Sequence, residues 1–317
     1  MKKKLKKKIS IITGVLNEEA IVEDIVKAIS NEMKKLSKKY DYEHIFMDNC
    51  STDGTLQILK SLAKKDKHIK ILAYSRNFGP EKSGFTGLIN ADGDAILPYE
   101  GNMKDPVSLI PTLLRHWEDG NELVLAVRKS TKESWLMQWS RKVFYRLVNA
   151  LSVEDLPRGY GSFGVIDKKI IDELKKIEDY KPYTRGLLAT MGFKQKKVFY
   201  ERKARPKGKG RSKSSIAYLI DYAINGLISY SIFPIRFMTY VGLGLSSMSF
   251  LGAIVYLILK IFYWKVTVPG ITGAIFLILF FSGIQLFFIG IIGEYVGAIH
   301  SQVRKKPFVV IKERINF

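Results

Sequence analysis

KISIITGVLNEE, residues 8–19, places a short apolar run directly before a polar and acidic segment. The run is interrupted by Ser10, Thr13 and Gly14, so it is too short and too broken to be an export signal. Its β-branched residues are typical of a buried strand. We therefore expect this segment to form the first strand of a soluble domain, preceded by a lysine-rich arm that either is solvated or touches anionic lipid headgroups.

The same alternation of strand and helix patterns continues to residue 128, which predicts an α/β domain with a parallel sheet. Strands are expected at Lys8–Gly14, His44–Met47, Ile69–Tyr74, Asp94–Leu97 and Leu123–Val127. Helices are expected at Glu18–Leu36, Thr55–Lys64, Pro80–Ala91 and Asp105–Asp119. Ligands bind at the carboxyl ends of such strands. The predicted binding rim is therefore made of Asn17–Glu19, Asp48–Asp53, Ser75–Gly79 and Tyr99–Asp105.

Composition excludes several classes of protein. The single cysteine excludes a disulfide scaffold and a cysteine-based zinc site. A hydrophobic fraction of 47% excludes a disordered chain. The formal charge of +21, from 51 Lys+Arg and 30 Asp+Glu, suits nucleic acid, anionic lipid or phosphorylated substrates alike. The distribution of the apolar residues favours a lipid bilayer as partner and no nucleic acid.

Two long uncharged segments predict a transmembrane hairpin. Phe237–Leu259 has 23 residues without a formal charge and Val266–Gly293 has 28. The first would be roughly 35 Å long as a helix, enough to cross a hydrocarbon core of about 30 Å. We expect spans at about 237–259 and 267–293. The basic cluster Arg304–Lys306 beyond the second span places the large N-terminal part and both termini in the cytoplasm.

Short motifs in a fixed order identify a family resemblance. They are Gly14–Glu19 (GVLNEE), Asp48–Thr55 (DNCSTDGT), Ser75–Gly79 (SRNFG), Gly93-Asp94, Asp105-Pro106 and, in the second span, Gly290–Tyr295 (GIIGEY). This set resembles family-2 glycosyltransferases of the GT-A fold, in particular the polyprenyl-phosphate glycosyltransferases, which include bactoprenol glucosyltransferases and dolichyl-phosphate mannose synthases. The resemblance covers nearly the whole chain.

The resemblance implies both an architecture and an activity. The fold would be a Rossmann-like GT-A domain with a mostly parallel sheet, followed by amphipathic interface helices and the hairpin. The activity would be inverting transfer of one sugar, by default glucose from a UDP-sugar, to polyprenyl (undecaprenyl) phosphate. The setting would be the cytoplasmic face of a bacterial inner membrane, in cell-envelope glycan modification, with a possible homo-oligomer, a tetramer in several relatives. The expected domains are a basic arm (1–8), the GT-A domain (9–200), a basic loop and interface helix (201–235), the two spans (236–297) and a basic cytoplasmic tail (298–317).

For the donor, the resemblance assigns the first two rim segments. Asp48 would accept the uracil N3–H, whereas Asp53 fits turn or cap chemistry better. Glu18 would contact the ribose or support a helix N-terminus. Arg76 would neutralise the diphosphate, position the base or form a surface ion pair. The full set of expected nucleotide-sugar ligands is Gly14, Leu16, Asn17, Glu18, Asp48, Asn49 and Arg76.

The fourth-strand rim departs from the family pattern Asp-x-Asp-Leu-Gln-Asp-Pro, whose second aspartate and glutamine hold Mg²⁺ or Mn²⁺. Glu100, Asn102 and Lys104 occupy the positions of the two aspartates and the glutamine. Asn is a weak neutral ligand and protonated Lys has no lone pair. We hypothesise that Lys104 partly replaces the metal. The alternatives are a metal held by Glu100, Asn102 and the diphosphate, or loss of catalysis. The candidate catalytic residues are Glu100, Asn102, Lys104 and Asp105, although Asp105 also suits a helix cap.

The acceptor side needs basic and amphipathic elements. Trp135–Leu151 and Ile216–Ile228 have helical apolar spacing that fits either interfacial helices or core packing. Arg202–Lys213 is a basic, glycine-broken loop that either binds phosphate or is solvated, and Arg158–Gly164 resembles the family's acceptor-side loop. The expected phosphate ligands are Arg158, Arg185, Arg211 and Lys213.

Two other functions stay open on sequence. A processive polysaccharide synthase would carry a Gln-x-x-Arg-Trp motif and more spans, and Gln138–Arg141 does not match that motif. A non-catalytic family member that binds nucleotide or lipid would explain the altered residues Glu100, Asn102 and Lys104.

Overall fold

The computed structural model describes residues 6–129, 160–180, 182–201, 233–262, 271–304 and 307–317. These residues fall into two compact units. The first unit contains the described residues up to 201 together with 307–317, and the second contains 233–262 and 271–304. The segments 135–151 and 216–228, expected as interface helices, and the basic loop 202–213 lie outside the described residues.

An eight-stranded sheet organises the first unit, in the order β7-β5-β6-β4-β1-β2-β3-β8. The strands are β1 (Lys7–Val15), β2 (Tyr40–Asp48), β3 (Ile69–Tyr74), β4 (Ala95–Pro98), β5 (Leu123–Arg128), β6 (Tyr160–Asp167), β7 (Gln195–Tyr200) and β8 (Ile311–Ile315). The pairs β1–β2, β1–β4, β2–β3 and β5–β7 are parallel. β6 and β8 run antiparallel to their neighbours. The expected α/β architecture with a mostly parallel sheet is therefore confirmed.

Helices cover both faces of this sheet. They are α1 (Val22–Leu36), α2 (Thr55–Lys65), α3 (Pro80–Ile89), a 3₁₀ turn (Val107–Leu109), α4 (Ile110–Glu118), α5 (Lys168–Leu174) and α6 (Thr184–Thr190). Adjacent strand residues face opposite helix layers: Ile11 packs in the cluster with α1, α2 and α4, and Ile12 in the cluster with α3, α5 and α6. Because helices cover both faces of the sheet, most residues of β1 to β5 are buried.

Two stretches differ from the sequence expectation. The expectation that Arg158–Gly164 forms a loop is wrong from Tyr160 onward, because β6 begins there and pairs with β4 and β5, while the expected acceptor-side role of this segment stays a prediction. Within the segment expected as a tail, Ile311–Ile315 forms β8 on the edge of β3. Asn316 fastens this strand by donating hydrogen bonds to the carbonyls of Ala63 and Ile69, both at 2.8 Å. The residues after the last long helix therefore return to the first unit.

The second unit contains two long apolar helices, α7 (Phe233–Phe262) and α8 (Ile271–Val303). Within α8, Phe280–Val303 has 24 residues and a mean hydropathy of 1.5, and none of its apolar window is fully buried. Among the helices that the structure describes, it is the one long and apolar enough to cross a membrane. α7 contains a shorter apolar segment, Phe237–Gly252. The two-span hairpin stays a prediction.

Candidate functional site

The ends of β1 and β2 form the first part of a polar rim. Their register places Val15 beside Asp48, so the residues that follow each strand meet. Asn17 has a φ of 55° and connects the two segments. Its backbone N–H donates to Ser51 Oγ at 3.0 Å, and its side-chain oxygen accepts from the Thr52 N–H at 2.8 Å. Asn17 thus orders both rim segments at once.

Hydrogen bonds of the acidic residues Glu18, Glu19 and Asp53 connect the start of α2 to this turn. Glu19 accepts a hydrogen bond from the Gly54 N–H at 2.9 Å, and the Glu18 N–H donates to Thr55 Oγ1 at 2.9 Å. Asp53 accepts from the N–H groups of Thr55 at 3.0 Å and Glu19 at 3.2 Å. Although burial raises the pKa of Asp53, these hydrogen bonds hold that pKa below its ordinary value. Asp53 therefore stabilises the turn, as its sequence context indicates.

Asp48 is a buried carboxylate at the end of β2, with 1% of the residue exposed. Its Oδ2 accepts a hydrogen bond from the Ser51 N–H at 3.3 Å. Its Oδ1 is buried without a hydrogen-bond partner among the described residues. Burial raises the pKa of Asp48, against the lowering effect of the Ser51 hydrogen bonds. An unsatisfied buried acceptor costs about 1–3 kcal/mol, so a donor that reached Asp48 Oδ1 would remove this cost.

Asn49 connects this turn to the loop Ser75–Gly79. Its side-chain oxygen accepts from the Phe78 N–H at 3.0 Å, and its side-chain NH₂ donates to the Gly79 carbonyl at 3.3 Å. Within the same loop, the Arg76 guanidinium carbon lies 4.3 Å from the centre of the Phe78 ring. Asn49 therefore positions the segment that carries Arg76, and its side chain is committed to that contact. Gly14 and Leu16 are exposed at the end of β1.

The turn after β4 is stabilised by hydrogen bonds among its own residues. Asn102 donates from its NH₂ to Glu100 Oε2 at 2.7 Å, and its side-chain oxygen accepts from the Lys104 N–H at 3.1 Å. Glu100 Oε1 lies 3.3 Å from Nη2 of Arg128, the last residue of β5. Met103 has a φ of 53°, which keeps the turn tight. Glu100, Asn102 and Lys104 are thus brought together, and Arg128 joins them.

Asp105 lies behind this turn and is 2% exposed. The Tyr200 hydroxyl donates to its Oδ1, and the Tyr99 hydroxyl donates to its backbone carbonyl at 3.0 Å. Burial, followed by the Asp105 hydrogen bond, raises the pKa of Tyr200 to about 12. Neither the 3₁₀ turn nor α4 receives a side-chain cap, so the expectation that Asp105 caps the next helix is wrong. Asp105 instead fastens β7 to the turn.

The family follows from a comparison with known proteins. Residues 10–175, more than half of the chain, match glycosyl transferase family 2. The chain belongs to this family. The resemblance inferred from the short motifs is thereby confirmed, and the mostly parallel sheet is that of the GT-A fold.

Individual relatives span nearly the full length. The uncharacterized glycosyltransferase YkcC of Bacillus subtilis (strain 168) is 32% identical over 305 residues, which cover 96% of this chain and 93% of that protein. An SfII prophage-derived bactoprenol glucosyl transferase of Shigella flexneri is 33% identical over 308 residues, which cover 96% and 98%. The solved mannosyltransferase PcManGT of Pyrobaculum calidifontis, in complex with GDP-Man and Mn²⁺, is 14% identical with a TM-score of 0.48 and covers 71% of this chain and 63% of that one.

The residues expected to hold Mg²⁺ or Mn²⁺ do not fit a divalent metal as they stand. Both carboxylate oxygens of Glu100 and the amide oxygen of Asn102 already accept hydrogen bonds. In the described part of the chain, no group of three or more His, Cys, Asp or Glu is placed to hold a metal ion. Mg²⁺ and Mn²⁺ favour carboxylate oxygens, and here the carboxylate is paired with an arginine.

The acceptor-side residues are only partly described. Arg158, Arg211 and Lys213 lie outside the described residues. Arg185 is in the first turn of α6 and interacts electrostatically with Glu81 in the first turn of α3. Burial raises the pKa of Glu81 and the charge of Arg185 lowers it, with burial the larger effect.

Sequence reasoning did not identify Arg128 or Tyr200. A usable signal existed for Arg128, because it directly follows a predicted strand whose carboxyl end lies on the rim. Tyr200 had no such signal, since β7 was not predicted.

Proposed function

We propose that this protein is an inverting hexosyltransferase that moves one sugar from a nucleotide sugar, by default UDP-glucose, to a polyprenyl phosphate such as undecaprenyl phosphate. The observation that carries the proposal is the 33% identity, over nearly the whole of both chains, to a bactoprenol glucosyl transferase. Membership of glycosyl transferase family 2 fixes the reaction class. The ordered rim at the ends of β1 and β2 supplies the donor site.

Asp48 would read the nucleobase. Its buried Oδ1 has no hydrogen-bond partner among the residues that the structure describes, and the imide N3–H of uracil is a donor of the required kind. Asn17 and Glu18 lie at the same turn, where a ribose would follow the base. Arg76, held by the Asn49-anchored loop, would approach the phosphates or the base.

The transfer step needs little proton chemistry. A phosphate oxygen of the acceptor attacks the anomeric carbon, a new carbon–oxygen bond forms, and the bond from that carbon to the donor diphosphate breaks. The bonding electrons leave with the nucleoside diphosphate, which gains one negative charge as the acceptor phosphate loses one. An acceptor dianion carries no proton that must be removed, so positioning and charge stabilisation are the tasks of the site.

We place the enzyme in a bacterial inner membrane, with the sheet domain and both termini on the cytoplasmic side. The apolar α8 supports a membrane location, and α7 would complete a two-span hairpin. Arg158, Arg185, Arg211 and Lys213 would bind the acceptor phosphate near the bilayer surface. Assembly as a homo-oligomer, a tetramer by the family resemblance, would be compatible with this anchor.

The test is sugar transfer by the full chain in detergent, with undecaprenyl phosphate and a panel of UDP- and GDP-sugars. Asp48→Asn should weaken UDP affinity about 10- to 100-fold, because a charged acceptor becomes a neutral amide whose NH₂ can face the uracil N3–H. Asp41→Asn is the matched control, since the Asp41 side chain is 63% exposed at the opposite end of the same strand. Transfer with one donor supports the proposal. UDP binding without transfer from any donor would indicate the non-catalytic alternative.

A further inference from the structure

In the turn Glu100–Lys104, the side-chain oxygens that a metal would need already accept hydrogen bonds. Glu100 Oε1 accepts from Arg128 at 3.3 Å and its Oε2 accepts from Asn102 at 2.7 Å. The Asn102 oxygen accepts from the Lys104 N–H at 3.1 Å. A divalent ion at this turn would have to displace at least one of these hydrogen bonds before it gained a ligand.

The charges around the turn also oppose a divalent ion. Two carboxylates, Glu100 and Asp105, are accompanied by two cationic side chains, Lys104 and Arg128, so the cluster carries no net formal charge. Asp105 already accepts a hydrogen bond from the Tyr200 hydroxyl. Magnesium sites rely on carboxylates together with substrate phosphates, whereas here a dication would lie beside the Arg128 guanidinium that pairs with Glu100.

Both cations have capacity for phosphate oxygens. The Lys104 ammonium makes no ion pair with any residue in the described ranges. Arg128 uses two N–H donors, toward Glu100 at 3.3 Å and the Tyr200 hydroxyl at 3.4 Å. Arginine has five such donors, and the other three have no partner among the described residues. Guanidinium and ammonium groups are the side chains that bind phosphate directly.

We propose that this protein binds the donor diphosphate without a divalent metal, and that Lys104 and Arg128 supply the positive charge. The identity of the ligand as a nucleoside diphosphate rests on the proposed function. As the bond to the sugar breaks, the diphosphate gains one negative charge. Arg128, which Glu100 and Tyr200 already hold, would stabilise that charge without rearrangement, and the Lys104 ammonium would add a second positive charge.

The direct test is the affinity of the full chain in detergent for UDP, measured by calorimetry in EDTA and in Mn²⁺. We expect the two dissociation constants to agree within about twofold. Lys104→Gln should weaken binding in EDTA about 10- to 100-fold, since a charged contact is lost. Lys64→Gln, an exposed lysine of α2, is the matched control and should have no effect. Loss of UDP binding in EDTA with recovery in Mn²⁺ would overturn the proposal.

Three further variants test the roles of the two cations and of the altered turn. Arg128→Gln should weaken UDP binding in EDTA more than Arg128→Lys, which retains the charge. The triple variant Glu100→Asp, Asn102→Asp, Lys104→Gln restores the family's acidic pattern, and its UDP affinity should rise at least tenfold on addition of Mn²⁺. A wild-type response to Mn²⁺ as large as that of the triple variant would contradict the proposal.

These binding measurements contain no lipid acceptor and no sugar that could be transferred. Failure of sugar transfer to undecaprenyl phosphate would therefore refute the proposed function and leave the metal-free diphosphate site standing. UDP binding that depends on Mn²⁺ would refute that site and leave the transferase function standing.

Discussion

Replacing Asn49 with aspartate tests how the donor rim is held together. The Asn49 side chain accepts from Phe78 N–H at 3.0 Å and donates to the Gly79 carbonyl at 3.3 Å, and the residue is 6% exposed. Aspartate keeps the acceptor and removes the donor. The Gly79 carbonyl then faces a carboxylate oxygen, with Asp48 adjacent in sequence.

The expected magnitude follows from that lost donor. A buried polar group left unsatisfied costs about 1–3 kcal/mol, and each 1.4 kcal/mol is about a tenfold change in affinity. If the loop that carries Arg76 loses this anchor, UDP affinity should fall by about 5- to 150-fold. The measurement is calorimetric UDP binding to the full chain, together with its thermal unfolding.

Asn77→Asp provides the matched control in the same loop. The Asn77 oxygen accepts from the Gly79 N–H at 2.8 Å, and aspartate preserves this hydrogen bond. Its UDP affinity should stay within about twofold of wild type. Equal losses in both variants, or an unchanged affinity in Asn49→Asp, would refute the idea that Asn49 positions the loop.

Three other perturbations test the fold around the site. Burial lowers the pKa of His44 to about 3, so the folded protein keeps this residue neutral. The free energy of unfolding should therefore fall as pH drops below 6.5, by at most about 1.36 kcal/mol per pH unit. In denaturant titrations, His44→Gln should reduce this dependence of stability on pH. Gly101→Ala should abolish UDP binding or unfold the turn, because a Cβ there would lie 2.6 Å from the Gly14 carbonyl oxygen; full binding would contradict the structure. Asn316→Ala should lower the free energy of unfolding by about 1–3 kcal/mol, because the hydrogen bonds of its side chain to Ala63, Ile69 and Lys67 are lost. An unchanged melting curve would show that β8 needs no such anchor.

The central strands were predictable because their chemistry is local. Most residues of β1, β2 and β3 are buried, and each of these strands contains a short apolar run that is visible in sequence. Their parallel pairing then places Asn17 and Asp48 on one rim without any knowledge of side-chain contacts. The boundary of α1 was less accurate, since the turn at Glu18 to Ile21 delays the helix to Val22.

The remaining elements depend on distant partners. Gly164 lies so close to β5 that a Cβ would be 2.3 Å from the Val124 carbonyl oxygen, so this strand needs a glycine that lowers its strand propensity. β8 is a short charged segment that is extended because it pairs with β3, more than 200 residues earlier. The Arg128–Glu100 contact joins the last residue of β5 to the turn after β4, so no local pattern could reveal it.

The central claim, transfer of one sugar to a polyprenyl phosphate, is tested most directly by mass spectrometry of the lipid product. Undecaprenyl phosphate would be incubated with the full chain and UDP-glucose, in EDTA and in Mn²⁺, and extracted. The account predicts a lipid that has gained a single hexose on its one phosphate, formed in both conditions. A ladder of several sugars, or lipid that stays unmodified with every nucleotide sugar tried, would contradict it.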